Sequence, residues 1–192
     1  MRIILGSSSP RRKELLELMG VEFEILKPIN DEDMTQKMKV TKLSEELSRQ
    51  KAQEVFDKTS GDRLVIGSDC MVHIKGKLLG KPKDDEDAFN MIKSISGKWH
   101  HVVTGLCVMV EKDGVKKTYL THDVTSVKFK KLSDETINEY LKRGDHRDKA
   151  GAYAIQGVGG MFVDKIKGNL STVVGIPTHK LYDILKQENI LK

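Results

Sequence analysis

The sequence predicts an α/β fold with a mixed sheet and flanking helices. Three observations carry this. Short apolar runs alternate with segments of helical period. Two long strand-like stretches meet at Asp113-Gly114, a strong hairpin signal that requires antiparallel pairing. The 192 residues suit one domain, taken here as residues 1–192, with enough chain to bury a core unaided.

The elements follow in order. Arg2–Leu5 reads as a strand and Gly6–Ser9 as a loop. A helix opens with Ser9 as N-cap and Pro10 at its first position, presents Leu15, Leu16, Leu18 and Met19 as its apolar face, and ends at Gly20. Thr41–Asp57 is a second helix with Leu43, Leu47, Val55 and Phe56 inward. Leu64–Gly67 is a buried strand that continues through Met71–Ile74 and turns at Lys75-Gly76 into Lys77–Leu79. Asp84 or Asp85 starts a third helix, whose Ala88, Met91, Ile92 and Ile95 fit the helical template; Gly97 closes it. Residues 101–111 and 115–130 form the long hairpin. Ser133–Arg143 is a helix with an acidic first turn. Residues 152–156, 161–166 and 170–174 read as short strands, and Leu181–Gln187 as a closing helix.

Composition excludes several function classes. Lys and Arg number 33 against 28 Asp and Glu, a net charge of +5 spread along the chain. This suits an anionic small ligand, and no dense basic tail marks a nucleic-acid arm. Aromatic residues, at 5%, are too sparse for a base-stacking platform. The longest uncharged run, Ala150–Val163, is fourteen residues and glycine-rich. A membrane helix needs about 18–20 apolar residues, so none is expected. Two cysteines, Cys70 and Cys107, make no disulfide framework or metal motif and point to a reducing, cytoplasmic home.

Several segments carry chemistry-bearing residues, each with a plain structural alternative. Gly6-Ser7-Ser8-Ser9-Pro10-Arg11-Arg12 joins a strand to a helix start. Backbone N–H groups, serine hydroxyls and two arginines there suit a phosphate; the alternative is a serine-rich capped turn. Asp69 follows an apolar strand, where a carboxylate can hold a divalent cation or act as a general base. The alternative is a turn aspartate ending the strand. On a helical projection Lys51 falls inside the arc of Leu43, Leu47 and Val55, so its ammonium needs an anionic partner or must snorkel. Lys81 sits between Gly80 and Pro82 on a stiff loop, or is an ordinary surface lysine. In Asp148–Gly157, small residues allow close backbone approach to a ligand, and Gln156 offers a donor and an acceptor to a base edge. Glu32 lies in the acidic triplet Asp31-Glu32-Asp33, a metal candidate or a solvated loop. His100 and His101 are adjacent, hence on opposite faces of a strand, and read as structural.

Taken together and in order, LGSSSPRRKELL at 5–16, KA at 51–52, VIGSD at 65–69, LLGKP at 78–82, SGKWHHVVTG at 96–105, DKAGAYAIQG at 148–157 and VVGIP at 173–177 resemble the Maf family of nucleoside triphosphate pyrophosphatases, the septum formation inhibitor proteins. The resemblance implies an elongated α/β fold similar to the inosine triphosphate pyrophosphatases, with a cleft between two lobes. It implies release of pyrophosphate and a nucleoside monophosphate with Mg²⁺ or Mn²⁺ held by Asp69 and Glu32. It makes Asp69 the proton acceptor and places Ser7, Arg11, Arg12, Lys51, Lys81 and Gln156 on the substrate. AGAYAIQG with Arg12 is similar to the dTTP/UTP branch. Cys70 departs from the threonine usual there, at a position tied, with Arg12 and Gln156, to base choice. A homodimer is a further family expectation. The rival from another class is a nucleotide-binding regulator of septum formation without turnover.

Overall fold

The computed structural model describes residues 1–29 and 38–191. Seven strands form one mixed sheet in the order β2-β1-β3-β5-β6-β7, with β4 paired to β3. The strands are β1 (Arg2–Leu5), β2 (Glu24–Ile25), β3 (Arg63–Ile74), β4 (Lys77–Leu79), β5 (Trp99–Lys112), β6 (Val115–Phe129) and β7 (Val163–Lys167). The helices are α1 (Pro10–Leu18), α2 (Val40–Asp57), α3 (Asp85–Ile95), α4 (Asp134–Leu141), α5 (Leu170–Val174) and α6 (Thr178–Gln187). β1 runs parallel to both β2 and β3, whereas β4 and β7 pair antiparallel to β3 and β6. The two-residue turns expected at Lys75-Gly76 and Asp113-Gly114 are present. All four residues have positive φ, the conformation that continues the twist of paired strands.

The chain divides into two compact units. The first comprises residues 1–69, 104–123 and 175–192. Alternation along its strands sends neighbours to opposite faces. Leu5, Leu64, Ile66, Leu106 and Val108 pack with Leu16 of α1 and with Leu181 and Leu185 of α6. Ile4, Val65 and Cys107 pack on the other face with Ala52, Val55 and Phe56 of α2. Among the described residues this is a three-layer arrangement in which α2 covers one side. The second unit comprises residues 70–103 and 124–174. Its core joins Ala88, Ile92 and Ile95 of α3 and Ile137 and Tyr140 of α4 to Val72, Val102, Val127 and Phe129 of the strands. Within it His100 is fully buried, with Nε2 2.8 Å from the Tyr153 hydroxyl and its ring edge-on to Phe129.

Two helix caps behave as their chemistry predicts. Asp84 accepts the Asp87 backbone N–H at the start of α3, and Ser133 accepts that of Thr136 at the start of α4. The glycine-rich last third departs from expectation. Residues 150–152 form a 3-10 turn in which Gly151 and Ala152 both have positive φ, so a strand over 152–156 cannot begin there. A second 3-10 turn occupies 158–162, so the strand expected over 161–166 is present but starts two residues later, as β7. Residues 170–174 are helical, with Thr172, Val173 and Val174 buried. On α1, Leu18 is 83% exposed. It lies two positions from buried Leu16, about 200° round the helix, and so points away from the core.

Candidate active site

The site in the first unit is built at the C-terminal end of β1 and in the middle of β3. After β1, the Gly6 N–H donates to the Ile66 carbonyl at 2.8 Å, which ties the loop to β3. The Ser9 N–H donates to Ser7 Oγ at 3.2 Å. The Ser9 side chain itself makes no capping hydrogen bond, and Pro10 opens α1 as expected. Ser7 is buried. Arg12, one turn into α1, donates from Nη1 to Ser7 Oγ and from Nε to the Gly175 carbonyl, each at 3.1 Å. Arg11 lies half-buried beside it in the first turn.

Asp69 stands within β3 and does not end it, which removes the turn-aspartate alternative. The residue is 4% exposed. Its Oδ1 accepts a hydrogen bond from Lys51 Nζ at 2.5 Å, which completes a mostly buried ion pair. Of the two courses open to Lys51 from the sequence, an anionic partner or a snorkelling stem, the structure shows the first. Asp69 Oδ2 makes no hydrogen bond among the described residues.

The pair exists because α2 lies directly on the sheet. A Cβ on Gly67 would sit 2.4 Å from the Ser48 carbonyl oxygen, and one on Gly105 would sit 2.0 Å from that of Ser44. No side chain fits between helix and sheet at either point. The serines of α2 on this face spend their hydroxyls on their own helix, Ser44 on Thr41 O and Ser48 on Glu45 O. Lys51 follows one turn later and reaches β3 without spanning a layer of side chains.

The remaining predicted residues fall in the second unit, apart from Glu32, which lies outside the described residues. Lys81 is exposed on the loop after β4, and neighbouring Gly80 accepts the Gly151 N–H at 3.0 Å. Gln156 is exposed on the bend between the two 3-10 turns. Neither side chain makes a hydrogen bond among the described residues. Cys70 is half-buried with Sγ 3.9 Å from the Thr172 carbonyl. Cys107 lies in the core of the first unit, where burial pushes its thiol up to about 12, so it is an inert hydrophobe. His100 and His101 are structural, as expected: His101 Nδ1 lies 2.9 Å from Ser126 Oγ and its ring stacks on His73.

A carboxylate oxygen is the right donor for a hard divalent cation, and such a cation commonly takes one or two carboxylates plus substrate phosphates. No group of three or more His, Cys, Asp or Glu ligands occurs among the described residues. Asp69, with a carboxylate oxygen that no described residue engages, fits such a cation. Sequence reasoning missed Ser68 and Gly175. Both stand in segments it singled out, VIGSD and VVGIP, but nothing in the residue types reveals that the Ser68 hydroxyl lies 2.7 Å from the Gly175 carbonyl.

A buried carboxylate held by a lysine, with an arginine-bearing helix start on the same sheet, is a candidate site for an anionic ligand and for acid–base chemistry. The family relationship is direct: the sequence pattern of the Maf-like proteins matches residues 2–188, and the chain belongs to that family. It is 46% identical to the dTTP/UTP pyrophosphatase of Aquifex aeolicus (strain VF5), with 100% of this chain and 97% of that one aligned. It is also 46% identical to the dTTP/UTP pyrophosphatase of Ruminiclostridium cellulolyticum, over 97% and 96% of the two chains. Its fold is that of the Ham1 proteins. The Staphylococcus aureus Ham1 structure aligns with a TM-score of 0.50 at 12% identity, over 98% of this chain and 100% of that one. A HAM1 protein from Coxiella burnetii aligns at 0.52 and 13%, over 97% and 99%.

Proposed function

We propose that this protein is a nucleoside triphosphate pyrophosphatase that hydrolyses dTTP and UTP to the nucleoside monophosphate and pyrophosphate. The observation that carries the chemistry is Asp69, buried within β3, with Oδ1 held by Lys51 and Oδ2 making no hydrogen bond among the described residues. The substrate class is supported by the relatives at 46% identity over essentially the whole chain.

Asp69 accepts the proton of the attacking water, which adds to the α-phosphorus as the bond to the bridging oxygen breaks and pyrophosphate leaves. Lys51 holds the carboxylate in place and offsets its charge. Arg12 and Arg11 neutralise the phosphates, and Ser7 both orients Arg12 and offers its hydroxyl to a phosphate oxygen. Lys81 is assigned to the phosphates, and Gln156, with Cys70 and Arg12, to base choice. Phosphoryl transfer gains mainly from such positioning and charge stabilisation. Mg²⁺ or Mn²⁺, held by Asp69 and Glu32 together with the substrate phosphates, supplies further charge neutralisation when bound. The proposal includes a cytoplasmic site of action and a homodimer. Cys70 and Cys107 form no disulfide, which supports the first.

The test is pyrophosphate release from dTTP, UTP, CTP, GTP and 7-methyl-GTP with Mg²⁺ or Mn²⁺, alongside Asp69→Asn. The expected result is release from dTTP and UTP, lowered by several orders of magnitude in the variant while nucleotide binding survives. Release that persists in Asp69→Asn would remove Asp69 from the mechanism. Binding without release from any nucleotide would leave a regulator in place of an enzyme.

A further inference from the structure

Arg12 does not owe its orientation to its own helix alone. Its Nε–H donates to the Gly175 carbonyl, a backbone oxygen 163 residues away in sequence. That oxygen lies 2.7 Å from Ser68 Oγ, and Ser68 is fully buried and immediately precedes Asp69. The Gly105 carbonyl lies 2.9 Å from the same hydroxyl. A hydroxyl has one proton, which these two carbonyls share, with Gly175 the nearer acceptor. The Gly175 carbonyl thus accepts from Ser68 Oγ on one side and from Arg12 Nε on the other. The backbone allows no substitute. Gly175 has φ +126°, and a Cβ there would stand 3.2 Å from Arg12 Nε. With Nε on Gly175 and one Nη1 hydrogen on Ser7, three of the five guanidinium N–H donors are left for a ligand.

We propose that Ser68 and Gly175 are positioning residues, which act through the Gly175 carbonyl to hold the Arg12 guanidinium ready for the nucleotide phosphates. The inference rests on Arg12 being a phosphate ligand, as in the proposed function. It makes the carboxylate and the arginine of the site two ends of one rigid chain of bonds: Asp69 is covalently next to Ser68, Ser68 holds Gly175, and Gly175 holds Arg12. An arginine left to find its own rotamer would have to be ordered by each incoming substrate; here much of that ordering is complete beforehand.

The test is a double-mutant cycle on Ser68→Ala and Arg12→Lys, read by binding of the non-hydrolysable analogue α,β-imido-dTTP and by kcat and KM for dTTP. Lysine keeps the charge but lacks the Nε–H that meets Gly175. Ser68→Ala should weaken analogue binding roughly fivefold in the native background, the scale of one neutral hydrogen bond, and raise KM more than it lowers kcat. In the Arg12→Lys background it should change binding by less than about twofold, since its route of action has been removed. Equal losses in both backgrounds, or no loss in the native one, overturn the proposal and leave Ser68 a packing residue. Ser68→Cys, nearly isosteric with a weaker donor, runs the same cycle if the alanine variant folds poorly. The two readings fail separately. A native protein that binds the analogue but releases no pyrophosphate from dTTP sinks the enzyme reading, while the cycle still decides the positioning role. Turnover with additive losses sinks the positioning role alone, and absence of both binding and turnover overturns both.

Discussion

At the scale of single residues, the site turns on the Lys51–Asp69 pair. Its side chains are 14% and 6% exposed, so neither charge is well solvated, and each depends on the other. Removing one partner of such a pair strands the other, at a cost of several kcal/mol, whereas removing both charges is far milder. Lys51→Met should therefore lower stability by about 3 kcal/mol, and Lys51→Met with Asp69→Asn should recover most of that loss, both measured by urea denaturation. A double variant no more stable than Lys51→Met alone would mean that the lysine contributes by packing rather than by pairing. That Lys51 must find a partner or snorkel was readable in the sequence, because the helical period placed it among Leu47 and Val55. The identity of the partner was not, since Lys51 and Asp69 lie eighteen positions apart and only the packed helix brings them together. Ser68 and Gly175 mark the limit more sharply. A buried serine and a glycine are ordinary sheet and turn residues by type, and their role exists only in a contact 107 residues apart in sequence.

At the scale of elements, α2 is the part that converts sheet into site. Its closeness is set by Gly67 and Gly105, and the contact at Gly105 is with backbone, which cannot rotate away. Gly105→Ala would force the helix off the sheet at Ser44, two turns before Lys51. We expect a loss of about 3 kcal/mol, at the upper end for overpacking, and a fall in pyrophosphate release larger than any fall in the folded fraction. Thermal melts beside activity at a temperature where the variant is fully folded would separate the two; unchanged stability would show that the helix slides at little cost. Elements with a long, clean period were legible: α2, α3, the β5–β6 hairpin and α6 fall close to where hydrophobic spacing and turn residues place them. The short ones were not. LSTVV at 170–174 is β-prone by composition but forms a helical turn whose last three residues are buried, and five residues are too few for period 2 and period 3.6 to be told apart. The stretch after Lys149 is governed by consecutive positive φ at Gly151 and Ala152, a backbone choice that an alanine does not advertise. β2 is two exposed residues whose strand character comes wholly from pairing with β1.

At the scale of the whole molecule, the titratable groups whose protonation shifts on folding add up to a defined response to acid. Burial, reinforced by the neighbouring His101 and His73, pushes His100 down to about 4, and burial lowers His73 as well. An unfolded histidine titrates near 6.5. Above that pH both states hold a neutral ring and the folded state bears no penalty; as pH falls from 6.5 toward 4 the unfolded chain takes up a proton that folded His100 refuses, and stability drains away. The full shift is worth roughly 3 kcal/mol for His100. Carboxylates act later and in the same direction. The Arg49 guanidinium holds Glu46 below its ordinary value, and the Tyr119 hydroxyl and Lys117 ammonium do the same for Glu188. Their contribution is present above the unfolded carboxylate value of about 4.5 and is lost only as pH falls below it. The interval between pH 6.5 and 4.5 thus belongs to the histidines. Tm followed from pH 8 to pH 4 should be level at first, decline through that interval and then fall more steeply. His100→Gln can still reach the Tyr153 hydroxyl but carries no titrating ring. Its Tm at pH 8 should be lower, because the edge contact with Phe129 is lost. Its decline between pH 6.5 and 4.5 should be shallower, with the remainder due to His73. A decline as steep as in the native protein would mean that His100 is protonated in the folded state, with the Phe129–Tyr153 core open enough to let a proton and its water reach Nδ1.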